Sequence, residues 1–177
     1  MLAFFVKKFC CMKVTFLVLC LAVCSAVSAT TYYVSPTGND DNPGSIDAPW
    51  ATWDHAFNST AVQPGDIVYF RGGVYSNTAG ATGLRITRDG TATNILKYWA
   101  YPGEKPILDC NNVTSAITNI NWGINAGSVD YVHFKGLTVR NVWTFDETDE
   151  AVGWSISGSH TLIENCTVYN THGRGFR

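Results

Sequence analysis

The sequence predicts an all-β protein: a parallel β-helix with three short strands per coil and a capping helix at its N-terminal end. Three observations carry that prediction. The segments YVHFKGLTVRN (residues 131–141) and TLIENCTVYN (161–170) repeat one pattern at an offset of 29 residues. Within each copy, apolar and polar side chains alternate with period two, the pattern of a strand with one buried face. A further short strand lies upstream of each copy, and an amphipathic aromatic segment precedes the first strand-like run.

Val132, Phe134, Leu137 and Val139 align with Thr161, Ile163, Cys166 and Val168, and these positions are expected to face inward. The positions between them are more polar: His133, Lys135, Thr138 and Arg140 against Leu162, Glu164, Thr167 and Tyr169. Gly136 and Asn165 break the alternation at the same place, so each reads as a sharp bend with left-handed backbone. Asn165 is expected in a tight, buried turn. Gly123-Ile124-Asn125-Ala126 and Gly153-Trp154-Ser155-Ile156 supply the third strand of two coils, and Gly175-Phe176-Arg177 begins another. A single coil cannot bury its inner face, whereas stacked coils share one continuous core. An antiparallel sandwich would need hairpin turns at regular spacing, and Asp89-Gly90 is the single pair of that kind. Stacking puts Lys135 and Glu164 on one outward column, where they should pair.

The open first coil needs a cover. PWATWDHAFNSTAV (49–62) places Trp50, Trp53 and Phe57 on one helical face. Thr52 suits the N-cap and Asp54 the positive end of the helix dipole. Pro64-Gly65-Asp66 ends the segment, and Ile67 to Phe70 is expected to open the first strand.

Residues 1–29 read as a signal peptide, with Lys7, Lys8 and Lys13 before the apolar run VTFLVLCLAV and small residues at Val27-Ser28-Ala29. The run is short for a stable membrane span. Met12 offers a second start, and Cys24 a lipoprotein alternative. The remainder, 30–177, is one domain's worth, read as the N-terminal part of a β-helix whose chain stops inside a coil. It carries nine basic and fourteen acidic side chains, with no basic stripe for nucleic acid. Of its cysteines, Cys110 and Cys166 sit at strand positions and read as small buried hydrophobes. Asn58-Ser59-Thr60 and Asn112-Val113-Thr114 are open sequons, and Asn165-Cys166-Thr167 is a closed one.

TYYVSPTGNDDNPGSIDAPWATWDHAF (31–57), PGDIVYFRGGVY (64–75) and AYPGEKPILD (100–109) resemble the opening of secreted right-handed parallel β-helix proteins. IENCTVYNTHGRGF resembles their coil repeat, and the family most similar is the family-nine pectate lyases. The resemblance implies β-elimination on an acidic, uronate-containing polysaccharide, with calcium held by aspartates and a Lys as general base. It also implies that the aspartates and the base lie on coils beyond Arg177, so that residues 30–177 alone are inactive. A glycoside hydrolase on the same scaffold is the nearest alternative, needing two facing carboxylates. A non-catalytic carbohydrate-binding β-helix is the third. The chain is expected to be a secreted monomer.

Two groups of candidate site residues stand out. Asp146, Glu147, Asp149 and Glu150 form the most charged stretch and are the candidate calcium donors, although they lack the spacing of an EF-hand loop. Asn125, Ser155 and Arg177 line one outward column where a saccharide chain could lie. His172 and Arg174 are expected in the loop leading to that face, the former as a candidate base, since imidazoles as a class change charge near neutral pH. Cys110 and His133 form no transition-metal pattern.

Overall fold

A computed structural model describes residues 28–77, 83–111, 122–143 and 151–177. Residues 1–27, where the signal peptide is expected, the Asn112 sequon and the acidic residues Asp146, Glu147, Asp149 and Glu150 lie outside them. Every strand pairing among the described residues is parallel, and the strands form three sheets.

The first sheet holds β1 (Thr31–Val34), β2 (Ile67–Phe70), β5 (Leu96–Ala100), β8 (Val132–Lys135) and β11 (Leu162–Glu164) in that order. The second holds β3 (Gly73–Ser76), β6 (Pro106–Asp109), β9 (Thr138–Val142) and β12 (Thr167–Thr171). The third holds β4 (Leu84–Arg85), β7 (Trp122–Ala126), β10 (Ala151–Ile156) and β13 (Gly173–Phe176). From β2 onward the chain visits the three sheets in turn and advances one strand per visit. This is a right-handed parallel β-helix.

The register matches the repeat. Ile163 pairs with Phe134 and Val168 with Val139, both at the offset of 29. Lys135 Nζ lies 2.8 Å from Glu164 Oε1, and Leu137 is fully buried with Cys166 packed against the same core. Inside, Tyr98 stacks on Phe134 with centroids 5.6 Å apart, and Phe134 meets buried Trp154 edge-on at 5.1 Å, whereas Phe176, stacked on Trp154, is exposed. Burying each of the inner side chains contributes roughly 1.5–3 kcal/mol.

The corner between the first two sheets depends on left-handed backbone: φ is 71° at Gly136 and 52° at Asn165. Asn tolerates this conformation because its short polar side chain bonds locally. Asn165 is exposed, however, not buried. Among the described residues β11 and β12 are the end strands of their sheets, so no coil covers Asn165 on that side. The third sheet depends on a different glycine property. A Cβ at Gly153 would sit 2.1 Å from Val168 Cγ1 and 2.8 Å from the Gly175 carbonyl, so only glycine lets β10 approach β12.

The helix α1 (Trp53–Asn58) is shorter than the segment 49–62. Thr52 caps it, its side chain accepting from the His55 N–H at 3.1 Å. Trp50, Trp53 and Phe57 are all buried, and Phe57 meets Phe70, Tyr98 and Phe134 from successive coils. The helix borders β4, with Asn58 Nδ2 donating to the Arg85 carbonyl at 3.0 Å. The first strand is β1, not β2. TYYV was hidden by its position just before a turn-rich stretch, and the pairing of Tyr33 with Tyr69 reveals it.

Cys110 is buried and Cys166 half-buried, both as free thiols. Burial pushes the Cys110 thiol up to about 12, which leaves it unreactive. At the first sequon, Asn58 Nδ2 also donates to the carbonyl and side chain of Asp54. Its amide is therefore committed to the fold.

Candidate substrate-binding face

In β7, Asn125 lies between Ile124 and Ala126, both fully buried, so alternation turns its side chain outward. Ser155 occupies the equivalent place in β10 and pairs with it. Arg177 continues the column: the Ile156 N–H donates to its carbonyl at 2.7 Å, and its own N–H donates to the Trp154 carbonyl at 2.9 Å. The expected line of Asn125, Ser155 and Arg177 is therefore assembled.

A fourth member was missed. Arg85 in β4 pairs with Asn125 and is exposed, between buried Leu84 and Ile86. With only two residues, β4 has no counterpart at the 29-residue offset, so the repeat could not reveal it. The triplet Leu84-Arg85-Ile86 was the available signal. The completed column reads Arg85, Asn125, Ser155, Arg177, with neighbours about 4.8 Å apart along the helix axis. Asn125 Oδ1 accepts from the Gly127 N–H at 3.0 Å, which fixes the amide and turns its NH₂ end away from the turn.

His172 lies at the corner between β12 and β13. Its N–H donates to the Val142 carbonyl at 3.0 Å, and its ring stacks on the exposed indole of Trp143 with centroids 6.0 Å apart. Arg174, by contrast, is not in a loop. It lies within β13, paired with buried Val152, because the strand starts at Gly173 directly after the corner. Its neighbours in register are therefore not those of the Asn125 column.

The column's chemistry is that of a binder. Two guanidiniums flank an amide and a hydroxyl, and all four side chains offer hydrogen-bond donors. Guanidinium forks match carboxylates in geometry as well as charge.

The described residues do not fit a calcium site. Glu104 is gripped by Arg71 through both oxygens, and Glu164 by Lys135 and His133. Asp109 accepts from Arg140 at 2.9 Å and Asn141 at 2.8 Å. Asp40 accepts from Thr52 and Ala51, and Asp66 from Thr30 and Gln63. Each of these carboxylates is committed singly, and among the described residues no three His, Cys, Asp or Glu side chains gather as metal donors. Among the same residues, no helix is long and apolar enough to cross a membrane.

Residues 32–177 match the family model described as "Pel9A-like, right handed beta helix region". The chain is 28% identical over 157 residues to pectate lyase PEL9 of Emericella nidulans, a match covering 88% of this chain and 37% of that protein. It is 30% identical over 156 residues to pectate lyase L of Paenibacillus polymyxa, covering 88% of this chain and 32% of that one. It therefore spans about a third of the length of these relatives. Among solved structures, a rhamnogalacturonan lyase superposes with a TM-score of 0.70 at 22% identity, over 80% of this chain and 36% of that one. A GH136 lacto-N-biosidase from Eubacterium ramulus superposes at 0.62 and 22% identity, over 82% of this chain and 28% of that one. The fold is shared by lyases and a hydrolase alike.

Proposed function

Because this chain belongs to the Pel9A-like right-handed β-helix family, we propose that it serves a secreted polysaccharide lyase acting on uronate-containing chains. The observation that carries the reading is the column Arg85, Asn125, Ser155 and Arg177 on the third sheet. It offers cationic and amide donors one strand apart, the arrangement that an acidic polysaccharide lying along the helix axis would meet.

In β-elimination, a base removes the proton alpha to the uronate carboxylate. The electron pair forms a carbon–carbon double bond, and the glycosidic oxygen departs as an alcohol. This column's part is to seat the chain: Arg85 and Arg177 neutralise carboxylates, while Asn125 and Ser155 hydrogen-bond sugar hydroxyls. Calcium, when bound, would acidify the alpha proton by neutralising the carboxylate. The acidic stretch of Asp146, Glu147, Asp149 and Glu150 remains the proposed donor set within this chain. His172, beside Trp143, is proposed to contact the chain at the opposite end of β13 from Arg177.

The test is the absorbance of unsaturated uronate products from polygalacturonate, alginate and rhamnogalacturonan, with calcium and with chelator. A calcium-dependent rise on one of them supports the proposal. New reducing ends without that absorbance would indicate hydrolysis instead.

A further inference from the structure

The outer face of the first sheet carries a second feature, on a different sheet from the Arg85 column. Tyr33, Tyr69 and Trp99 occupy one register column, and each is half-buried with part of its ring open to solvent. Tyr33 and Tyr69 lie with ring centroids 5.9 Å apart, and Trp99 sits edge-on to Tyr69 at 6.3 Å. Tyr101 joins them, 5.6 Å from Tyr69 and 6.2 Å from Tyr33. Four contiguous aromatic rings on a solvent-facing sheet exceed what coil stacking requires, since the buried rings already join the coils.

Cations lie on these rings. The Arg71 guanidinium sits 4.6 Å from the Tyr101 centroid, and Lys97 Nζ and Lys135 Nζ lie 5.6 and 5.7 Å from that of Trp99. Glu104 pairs with Arg71, and Glu164 with Lys135 and His133. Among the described residues, Lys97 has no carboxylate partner. The face therefore carries a net positive charge, although residues 30–177 as a whole are acidic.

We infer that this face is a second saccharide-binding surface, taking an acidic oligosaccharide with its carboxylate on Lys97 and its C–H groups against Tyr33, Tyr69 and Trp99. The C–H groups of a pyranose carry partial positive charge and suit the electron-rich rings. Cation–π contacts pre-position the lysines, so less side-chain freedom is lost when a ligand binds. The ligand class rests on the proposed function, but the location does not.

The experiment is calorimetric titration of the full chain with a galacturonate hexamer and a galactose hexamer, using Lys97→Gln, Tyr69→Ala and, on the other face, Arg85→Gln. Lys97→Gln is expected to weaken galacturonate binding about ten-fold, the scale of one charge-assisted hydrogen bond, and to leave galactose binding unchanged. Tyr69→Ala should weaken both. Thermal melting confirms folding of each variant, and Lys97→Gln keeps the test open if Tyr69→Ala fails to fold. The inference is overturned if neither variant changes galacturonate affinity, or if the wild-type chain binds no hexamer. It is equally overturned if Tyr69→Ala only abolishes self-association in light scattering, which would make a second copy the occupant. Lyase activity together with an unchanged galacturonate affinity in Lys97→Gln would sink this surface and leave the proposed function standing. Binding here without any product would do the reverse.

Discussion

Asn170 donates its side-chain amide to the side-chain oxygen of Asn141, its equivalent one coil earlier, and both hold left-handed backbone with φ of 56° and 59°. Asn141 in turn donates to Asp109 Oδ1 at 2.8 Å, so one polar ladder ties three coils together at the end of the second sheet. Asn141→Ala should lose both hydrogen bonds and strain the backbone, costing about 2–3 kcal/mol in denaturant unfolding. Asn141→Gly should recover the conformational part alone, and its midpoint should fall between those of wild type and Asn141→Ala.

The same ladder sets an acid limit. Burial alone would raise the Asp109 pKa, but hydrogen bonds from Asn141, Arg140 and the Asn111 N–H outweigh it and hold the carboxyl below its ordinary value. A depressed carboxylate contributes stability that is present above its unfolded pKa and is lost as pH falls through the folded one. Stability should therefore drop below about pH 4, and less steeply in Asp109→Asn. Thermal midpoints measured from pH 6 downward check this.

Gly153 admits no side chain, because its Cβ would overlap Val168. Gly153→Ala should destabilise by about 3 kcal/mol, at the upper end of overpacking costs. Combining it with Val168→Ala should recover part of that loss, and a double-mutant cycle by denaturant unfolding reads the coupling.

Thr52 accepts from the His55 N–H and donates to Asp40 Oδ2 at 2.7 Å, joining α1 to the turn before it. Thr52→Ala should cost about 1–2 kcal/mol and Thr52→Ser much less, as measured by thermal melting.

Much of this architecture was legible in the chain. The 29-residue offset located the coil, and Lys135, Glu164, Gly136 and the cap at Thr52 followed from alternation and turn chemistry. The offset was silent where coils differ in length. It missed β1, whose partner β2 lies 36 residues on, and it missed Arg85 in its two-residue strand. Burial at Asn165 was misjudged because a tight turn is enclosed only where a further coil stacks on it, and among the described residues β11 and β12 end their sheets. The aromatic face escaped for a related reason. Tyr33, Tyr69 and Trp99 belong to strands at unequal spacing, so no sequence period aligns them.

The most direct measurement is release of unsaturated uronate from polygalacturonate by the protein as its gene encodes it, compared with Arg85→Gln and Asn125→Ala. The account predicts a calcium-dependent rise in absorbance for wild type. It also predicts a KM raised about ten-fold in Arg85→Gln at unchanged kcat, because that guanidinium seats the substrate. A rise unaffected by either substitution, or no unsaturated product from any uronate polymer, would contradict it.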